Sequence, residues 1–418
     1  MTKKLIVFVA LIFSVIGYSQ ENTSSPYSYY GLGEVKFRGT QSSRAMGGLG
    51  IQGDSISLNL LNPASYSHLK LTTLAVGGTT TFTNLKNETE DGKAKRTSLD
   101  YLAIGIPMGK FGASFGVLPY SAVGYKIQNV TTNNEGQQIK KTFSGEGNVN
   151  KVFFGGAYSV NKNLSFGADV QYNFGNIENE SIEGLSIVQL GSRERNISKI
   201  SGASFNFGGL YNRKWNEKID VYASFVFSPE ARLNSSNERN LATVTYTANG
   251  TEVVNDDIDI NVNDTKISIP TRMLFGLGLG EKNKWMLGTE ITFQSNSQLT
   301  NRFNDAASSN VTYKDGQKFV LGGYYIPKYD SFSSYLNRVV YRAGFRYENT
   351  GLVIKDKEID DYGMNFGLGL PLGFSKIDIG FEIGVRGTTY YNLVRENYFN
   401  LSVGLSLSDK WFKKRKID

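Results

Sequence analysis

The sequence predicts an all-β fold: a transmembrane antiparallel β-barrel of about fourteen strands with an N-terminal plug. Three observations predict it. Period-two amphipathicity recurs roughly a dozen times along the chain. Short polar turns alternate with much longer connections. The chain is 13% aromatic with 46 Gly in 418 residues, yet has no apolar run of the roughly 18 to 20 residues that a membrane helix needs.

Met1 to Gln20 reads as a secretory leader. Lys3 and Lys4 form a basic start, Leu5 to Ile16 an apolar stretch, and Gly17 and Ser19 supply small residues before a cut. We expect residues 1–19 to be removed. The sequence has no Cys, so neither a lipidated cysteine nor a disulfide is available, and export without lipidation fits an integral barrel. Residues 20–69 are rich in Gly and Ser. A segment of that composition folds compactly only against another surface, and the polar interior of the barrel is the nearest one. They are the expected plug, with Gly47, Gly48, Gly50, Asn62, Pro63 and Ala64 as its motif.

Residues 70–412 are the expected barrel. Leu164, Phe166, Ala168, Val170, Tyr172 and Phe174 alternate with Ser165, Gly167, Asp169, Gln171 and Asn173, so one face suits hydrocarbon and the other water. Trp285 to Gln294, Val339 to Glu348, Ile377 to Arg386 and Phe399 to Leu407 repeat the pattern. Val160 to Asn163, Arg213 to Lys218, Gly280 to Lys284 and Leu372 to Lys376 are short joins. Gln128 to Ser144, Ile177 to Ser198, Pro229 to Lys266 and Thr350 to Asp360 are long ones. That asymmetry is that of the periplasmic and external ends of an outer-membrane barrel. Asn249-Gly250 signals a tight hairpin in the third external connection, and Gln137 to Thr142 hints at a second ribbon. Residues 413–418 form a basic periplasmic tail after the girdle residues Trp411 and Phe412.

The inward positions collect charge of both signs: Asp169, Glu290, Arg342, Arg346, Glu348, Asp378, Glu382 and Arg386. They form either a polar conduit or a set of pairs, closed across the lumen or with plug residues such as Arg38, Arg44 and Asp54. Both signs in one lumen argue against a simple ion-selective pore. With His68 as the single histidine and no Cys, neither a Ser–His hydrolase nor a zinc site is expected. His68 reads as a boundary residue, and no catalytic, cofactor or metal residue is assigned. Asn255 to Asp264 is oxygen-rich but lacks EF-hand spacing, and its interleaved Ile258, Ile260 and Val262 favour a solvated ribbon. The net charge of +7 is spread along the chain, and no nucleic-acid module accompanies it.

A glycine-rich stretch followed by Asn62-Pro63-Ala64 just before a fourteen-strand pattern resembles the FadL-like family of long-chain fatty acid and hydrocarbon transport proteins. Ser25 to Gly31, Tyr341 to Tyr347 and Arg395 to Phe399 look like an outer-membrane set common in Bacteroidota. The resemblance implies an N-terminal hatch inside the barrel and passage of small hydrophobic molecules by plug-gated diffusion, without covalent chemistry. The alternative is a non-transporting structural or accessory subunit of an outer-membrane secretion or assembly complex. Expected partners are outer-membrane lipid, a small hydrophobic ligand and other envelope proteins. A continuous apolar tunnel would favour transport, and a lumen closed by ion pairs a scaffold.

Overall fold

The computed structural model describes residues 23–185, 190–247, 252–299 and 311–410. The expected leader, the Asn249-Gly250 turn and the basic tail with Trp411 and Phe412 lie outside the described residues. The chain forms a closed antiparallel barrel of fourteen strands. They are β1 (Thr72–Lys86), β2 (Asp91–Met108), β3 (Phe111–Thr132), β4 (Gln138–Ser159), β5 (Leu164–Leu185), β6 (Leu190–Lys214), β7 (Asp220–Ser228, then Ala231–Tyr246), β8 (Glu252–Asn261, Thr265–Ile269 and Arg272–Glu281), β9 (Trp285–Gln294), β10 (Gly316–Tyr325), β11 (Val340–Ile354), β12 (Lys357–Leu372), β13 (Ser375–Arg386) and β14 (Arg395–Asp409). β7 and β8 are interrupted beside Pro229 and Pro270, which cannot donate to a ladder. β14 closes the ring by pairing with β1 from Asp409↔Thr72 to Arg395↔Lys86.

Burial is inverted relative to a water-soluble protein. On β5, Phe166, Val170 and Tyr172 are 53%, 54% and 54% exposed, while Ser165, Asp169 and Asn173 are 0%, 3% and 0% exposed. An apolar exterior and polar interior suit a barrel surrounded by hydrocarbon. The chain is therefore an integral outer-membrane β-barrel, and membrane lipid is its immediate partner.

Much of what reads as external loop is strand. β3 and β4 run on to a turn over Asn133 to Gly136, where Gly136 has φ +77°. β7 and β8 form a ladder from Asn261↔Glu238 to Glu252↔Tyr246. β11 and β12 meet at Lys355-Asp356, whose φ values of +50° and +62° suit a two-residue hairpin turn. At the opposite end the joins are short, with one exception: residues 326–339 between β10 and β11 form a longer connection, anchored by buried Ile326 and Val339.

The wall has one seam. β2 and β3 pair only from Met108↔Phe111 to Leu102↔Val117. Above that point β3 bends at a bulge between Pro119 and Ser121. Its free edge there takes up a two-residue strand from the N-terminal segment, Glu34↔Ala122 and Val35↔Ser121.

Candidate functional site

The lumen is the site, because the chain fills it with its own N-terminal residues. Three short helical turns punctuate that segment: Pro26–Tyr29, Gln41–Arg44 and Pro63–His68. Asn62 shows why the last one forms where it does. Its side-chain oxygen accepts from the Ala64 amide at 3.0 Å, capping the turn, while Pro63 supplies a preset φ at the first position. The Asn62 amide nitrogen donates to the Gly209 carbonyl on β6 at 3.1 Å, so the cap is also a clamp on the wall.

Inward-facing glycines make room for this segment. A Cβ at Gly208 would stand 2.1 Å from Asn62 Oδ1, one at Gly167 2.5 Å from the Pro63 carbonyl carbon, and one at Gly344 2.2 Å from the Met46 carbonyl carbon. Gly47 and Gly48 turn the chain back with φ of +73° and +100°, a region that suits glycine. A Cβ at Gly50 would reach 2.9 Å from Leu61, and the Gly50 amide donates to Glu290 Oε1 at 3.1 Å. Gly47, Gly48, Gly50, Asn62, Pro63 and Ala64 thus lie at close approaches within the segment or to the wall.

Charge holds the opposite side. Arg346 and Arg386 converge on Asp361, which is 1% exposed, at 3.2 and 2.9 Å. Arg346 also meets Glu382 at 2.9 Å, and Arg386 reaches Glu34 of the N-terminal segment at 2.8 Å. The Tyr398 hydroxyl donates to Asp361 Oδ1 at 2.7 Å. Arg44 of the segment bridges Asp100 at 3.3 Å and Glu382 at 4.0 Å. Arg342 pairs with Asp378 at 2.8 Å, and Asp378 accepts from Ser42 at 2.7 Å. Asp169 makes no ion pair among the described residues; the Tyr66 hydroxyl and the Asn206 amide approach it at 3.5 and 3.4 Å.

The structure thus brings Arg346, Glu382 and Arg386 into one paired array with Arg44 around Asp361, while Arg342 and Asp378 form a separate cluster with Lys376 and Ser42, and Asp169 and Glu290 each contact the segment separately. Asp54 instead accepts from the Ile56 amide at 3.3 Å, and Arg38 lies over the Tyr120 ring. Sequence reading missed Glu34, Asp100 and Asp361. Asp361 and Glu382 sit on neighbouring strands, so β-strand parity alone places Asp361 inward once the register is known. The reach of Glu34 to Arg386 carries no local signal.

Much of the remaining space is a cavity of about 330 Å³ between the segment, β1–β3 and β8–β14, lined by Arg272, Glu290, Lys318, Arg346 and Asp361 among others. Buried apolar residues form four separate clusters, each with at least one residue of the N-terminal segment. The cavity itself combines apolar walls from Phe37, Leu61, Leu274 and Val320 with the charged groups named above.

Glu34 gives the site a pH response. Burial pushes its carboxyl up, but Lys36 and Arg386 outweigh burial and hold it well below the ordinary 4.5. A depressed carboxyl stabilises the folded state above its unfolded pKa and loses that contribution as pH falls toward the folded value. The Glu34 contribution to protease protection of the segment, read as the difference between wild type and Glu34→Gln, is therefore expected to be constant down to about pH 5 and to fall below it. Glu34→Gln should weaken protection at neutral pH and flatten the acid decline. An unchanged decline in that variant would show that Glu34 does not hold the segment.

Known proteins share this architecture. The family model described as BamG matches residues 1–418. No curated protein matches the chain. Among solved structures, the toluene transporter TodX of Pseudomonas putida is similar with TM-score 0.61 and 16% identity, over 91% of this chain and 100% of that one. The CymD monoaromatic hydrocarbon channel gives TM-score 0.57 and 14% identity over 92% and 100%. A Pseudomonas aeruginosa FadL homologue gives 0.54 and 12% over 90% and 98%. At these identities the shared property is the fold, so the resemblance read from the sequence holds at that level.

Proposed function

The chain belongs to the BamG family, and from that premise we infer that it serves as a sealed barrel, a structural or accessory subunit of an outer-membrane protein assembly. The observation that carries the reading is the double attachment of the N-terminal segment. Ion pairs from Glu34 and Arg44 tie it to β2, β13 and the array around Asp361. Backbone-close glycine contacts at β5, β6 and β11 hold the other sides. Displacing the segment would strand buried charges, at about 3–5 kcal/mol for each broken pair. A conduit for small hydrophobic molecules would need a continuous greasy path, and Arg272, Lys318, Arg346 and Asp361 interrupt the apolar walls of the space that remains.

A second reading, plug-gated diffusion of small hydrophobic molecules, draws on the seam between β2 and β3. There the wall is completed by Glu34–Val35 rather than by a barrel strand, and withdrawal of these residues would open the wall sideways into the membrane. One experiment separates the readings. Uptake of a labelled long-chain fatty acid and of toluene is compared between wild-type cells and a deletion strain, alongside mild-detergent purification of the tagged barrel. Unchanged uptake with stoichiometric, salt-stable envelope partners supports the sealed subunit. A several-fold loss of uptake from a barrel that purifies alone would overturn it.

A further inference from the structure

Lumen cations on the β10–β14 side each meet a carboxylate: Lys318 with Glu348, Arg342 with Asp378, Arg346 with Glu382 and Arg386 with Asp361. Arg38, Lys151 and Arg272 do not. They come from the N-terminal segment, β4 and β8, and converge on a polar cavity of about 30 Å³ also walled by Gln171, Ser204 and Asn206. Lys151 is 6% exposed, and its ammonium donates to the neutral Gln171 Oε1 at 3.3 Å. The Arg38 guanidinium lies over the Tyr120 ring, 5.1 Å from its centroid. None of the three cations forms an ion pair with a carboxylate among the described residues. Asp169, Glu290 and Glu348, the nearby carboxylates, are engaged by Tyr66 and Asn206, by the Gly50 amide and by Lys318.

Three cations around one enclosed space repel one another, and burying them unpaired is costly. An anion placed between them removes both penalties. Arg guanidinium groups present paired N–H donors that match tetrahedral oxyanions, and a lysine adds a point charge. Arg38, Tyr120 and Arg272 also line the 330 Å³ cavity, so a group attached to the anion has room beside it. The smaller cavity mixes amide and hydroxyl walls from Gln171, Ser204 and Asn206 with apolar ones from Leu60, Leu61 and Ile269, and its small volume selects a compact head.

We propose that Arg38, Lys151 and Arg272 form a binding site for a phosphate group, either inorganic phosphate or the head of a phosphorylated amphiphile, which bridges the N-terminal segment to β4 and β8. The site goes beyond the sealed-barrel reading and does not depend on it, because it requires neither partner proteins nor transport.

The test uses the full-length mature barrel in maltoside micelles, with its thermal midpoint followed at constant ionic strength. Replacing NaCl by inorganic phosphate is expected to raise the midpoint saturably, because a ligand of the folded state alone stabilises it by mass action. Dodecyl phosphate is the second arm. A tenfold lower half-saturation for it identifies the amphiphile as the source, and equal values identify the free ion. The Arg38→Gln/Arg272→Gln variant should lose the response. Lys151→Met, which removes one repelling charge, should lose the response while leaving the phosphate-free midpoint equal or higher. No rise beyond the NaCl control in either arm overturns the site, as does a full response retained in both variants. A wild-type titration without a saturable rise overturns the site even if a variant fails to fold, because the general stabilisation by phosphate does not saturate. Failure here leaves co-purification and uptake untouched, so the two readings fail separately.

Discussion

Replacing Asp361 by Ala is expected to cost the barrel about 3–5 kcal/mol, the largest single-residue effect predicted for this chain. Asp361 is the carboxylate on which Arg346 and Arg386 both close, at 3.2 and 2.9 Å, and it accepts from Tyr398 at 2.7 Å. Removing it leaves two guanidinium groups without their shared carboxylate and takes from the Tyr398 hydroxyl its 2.7 Å acceptor, leaving it the bond it accepts from Arg346. Asp361→Asn keeps the size and one acceptor but not the charge, so it should fall between wild type and Ala. The loss should spread, because Arg386 also carries the bond to Glu34 and Arg346 the bond to Glu382. Urea unfolding in lipid vesicles, followed by tryptophan fluorescence, gives the stability. Limited proteolysis of the N-terminal segment gives its docking. A change under about 1 kcal/mol in Asp361→Ala would mean that the array contributes little beyond mutual compensation.

The second large effect is steric. Valine at Gly344 would place a Cβ 2.2 Å from the Met46 carbonyl carbon, and at Gly167 2.5 Å from the Pro63 carbonyl carbon. Both obstacles are backbone, which a rotamer change cannot relieve. Each substitution overpacks the lumen at about 1–3 kcal/mol, and the double variant loads the segment from two sides of the barrel. The wall is held by complete ladders on both sides of β5 and by β10 and β12 around β11, so the segment yields first. Planar-bilayer recording should therefore give a closed baseline for wild type and sustained ion current for Gly167→Val/Gly344→Val. A double variant that stays closed with its segment protease-resistant would show that the lumen accommodates the added bulk.

How far these features could be read beforehand depends on what each residue answers to. Phe166, Val170 and Tyr172 face lipid, so parity alone reveals their strand, and the same rule gives the number of membrane strands. The rule weakens above the membrane. Residues 178–185 of β5 still pair as strand, but with water on both faces the sequence there loses its alternation and reads as loop, whereas Ile258 and Ile260 keep enough of it for the ribbon over 252–261 to be expected. Inside the barrel, parity identifies Asp169, Glu290 and Arg342 as inward without naming their partners. Glu34 meets Arg386 across 352 positions, and Gly208 is glycine because Asn62 stands over it. Such contacts belong to the packing of one element inside another, and no local periodicity encodes them. Arg38, Lys151 and Arg272 are invisible for the same reason: each is an ordinary basic residue until three distant strands and segments meet.

The junction of β14 with β1 has a consequence for biogenesis. The ring is completed by the last strand synthesised, along fifteen paired positions from Thr72 to Lys86. The residues that occupy the interior precede the first strand. They are tied both to early and to late strands, at Asp100 of β2 and Arg386 of β13, so their final seating waits on the last part of the sheet. Closure then becomes a checkpoint on that seating. A chain whose N-terminal segment fails to settle between Gly167 and Gly344 would present an incomplete surface to its own final strand.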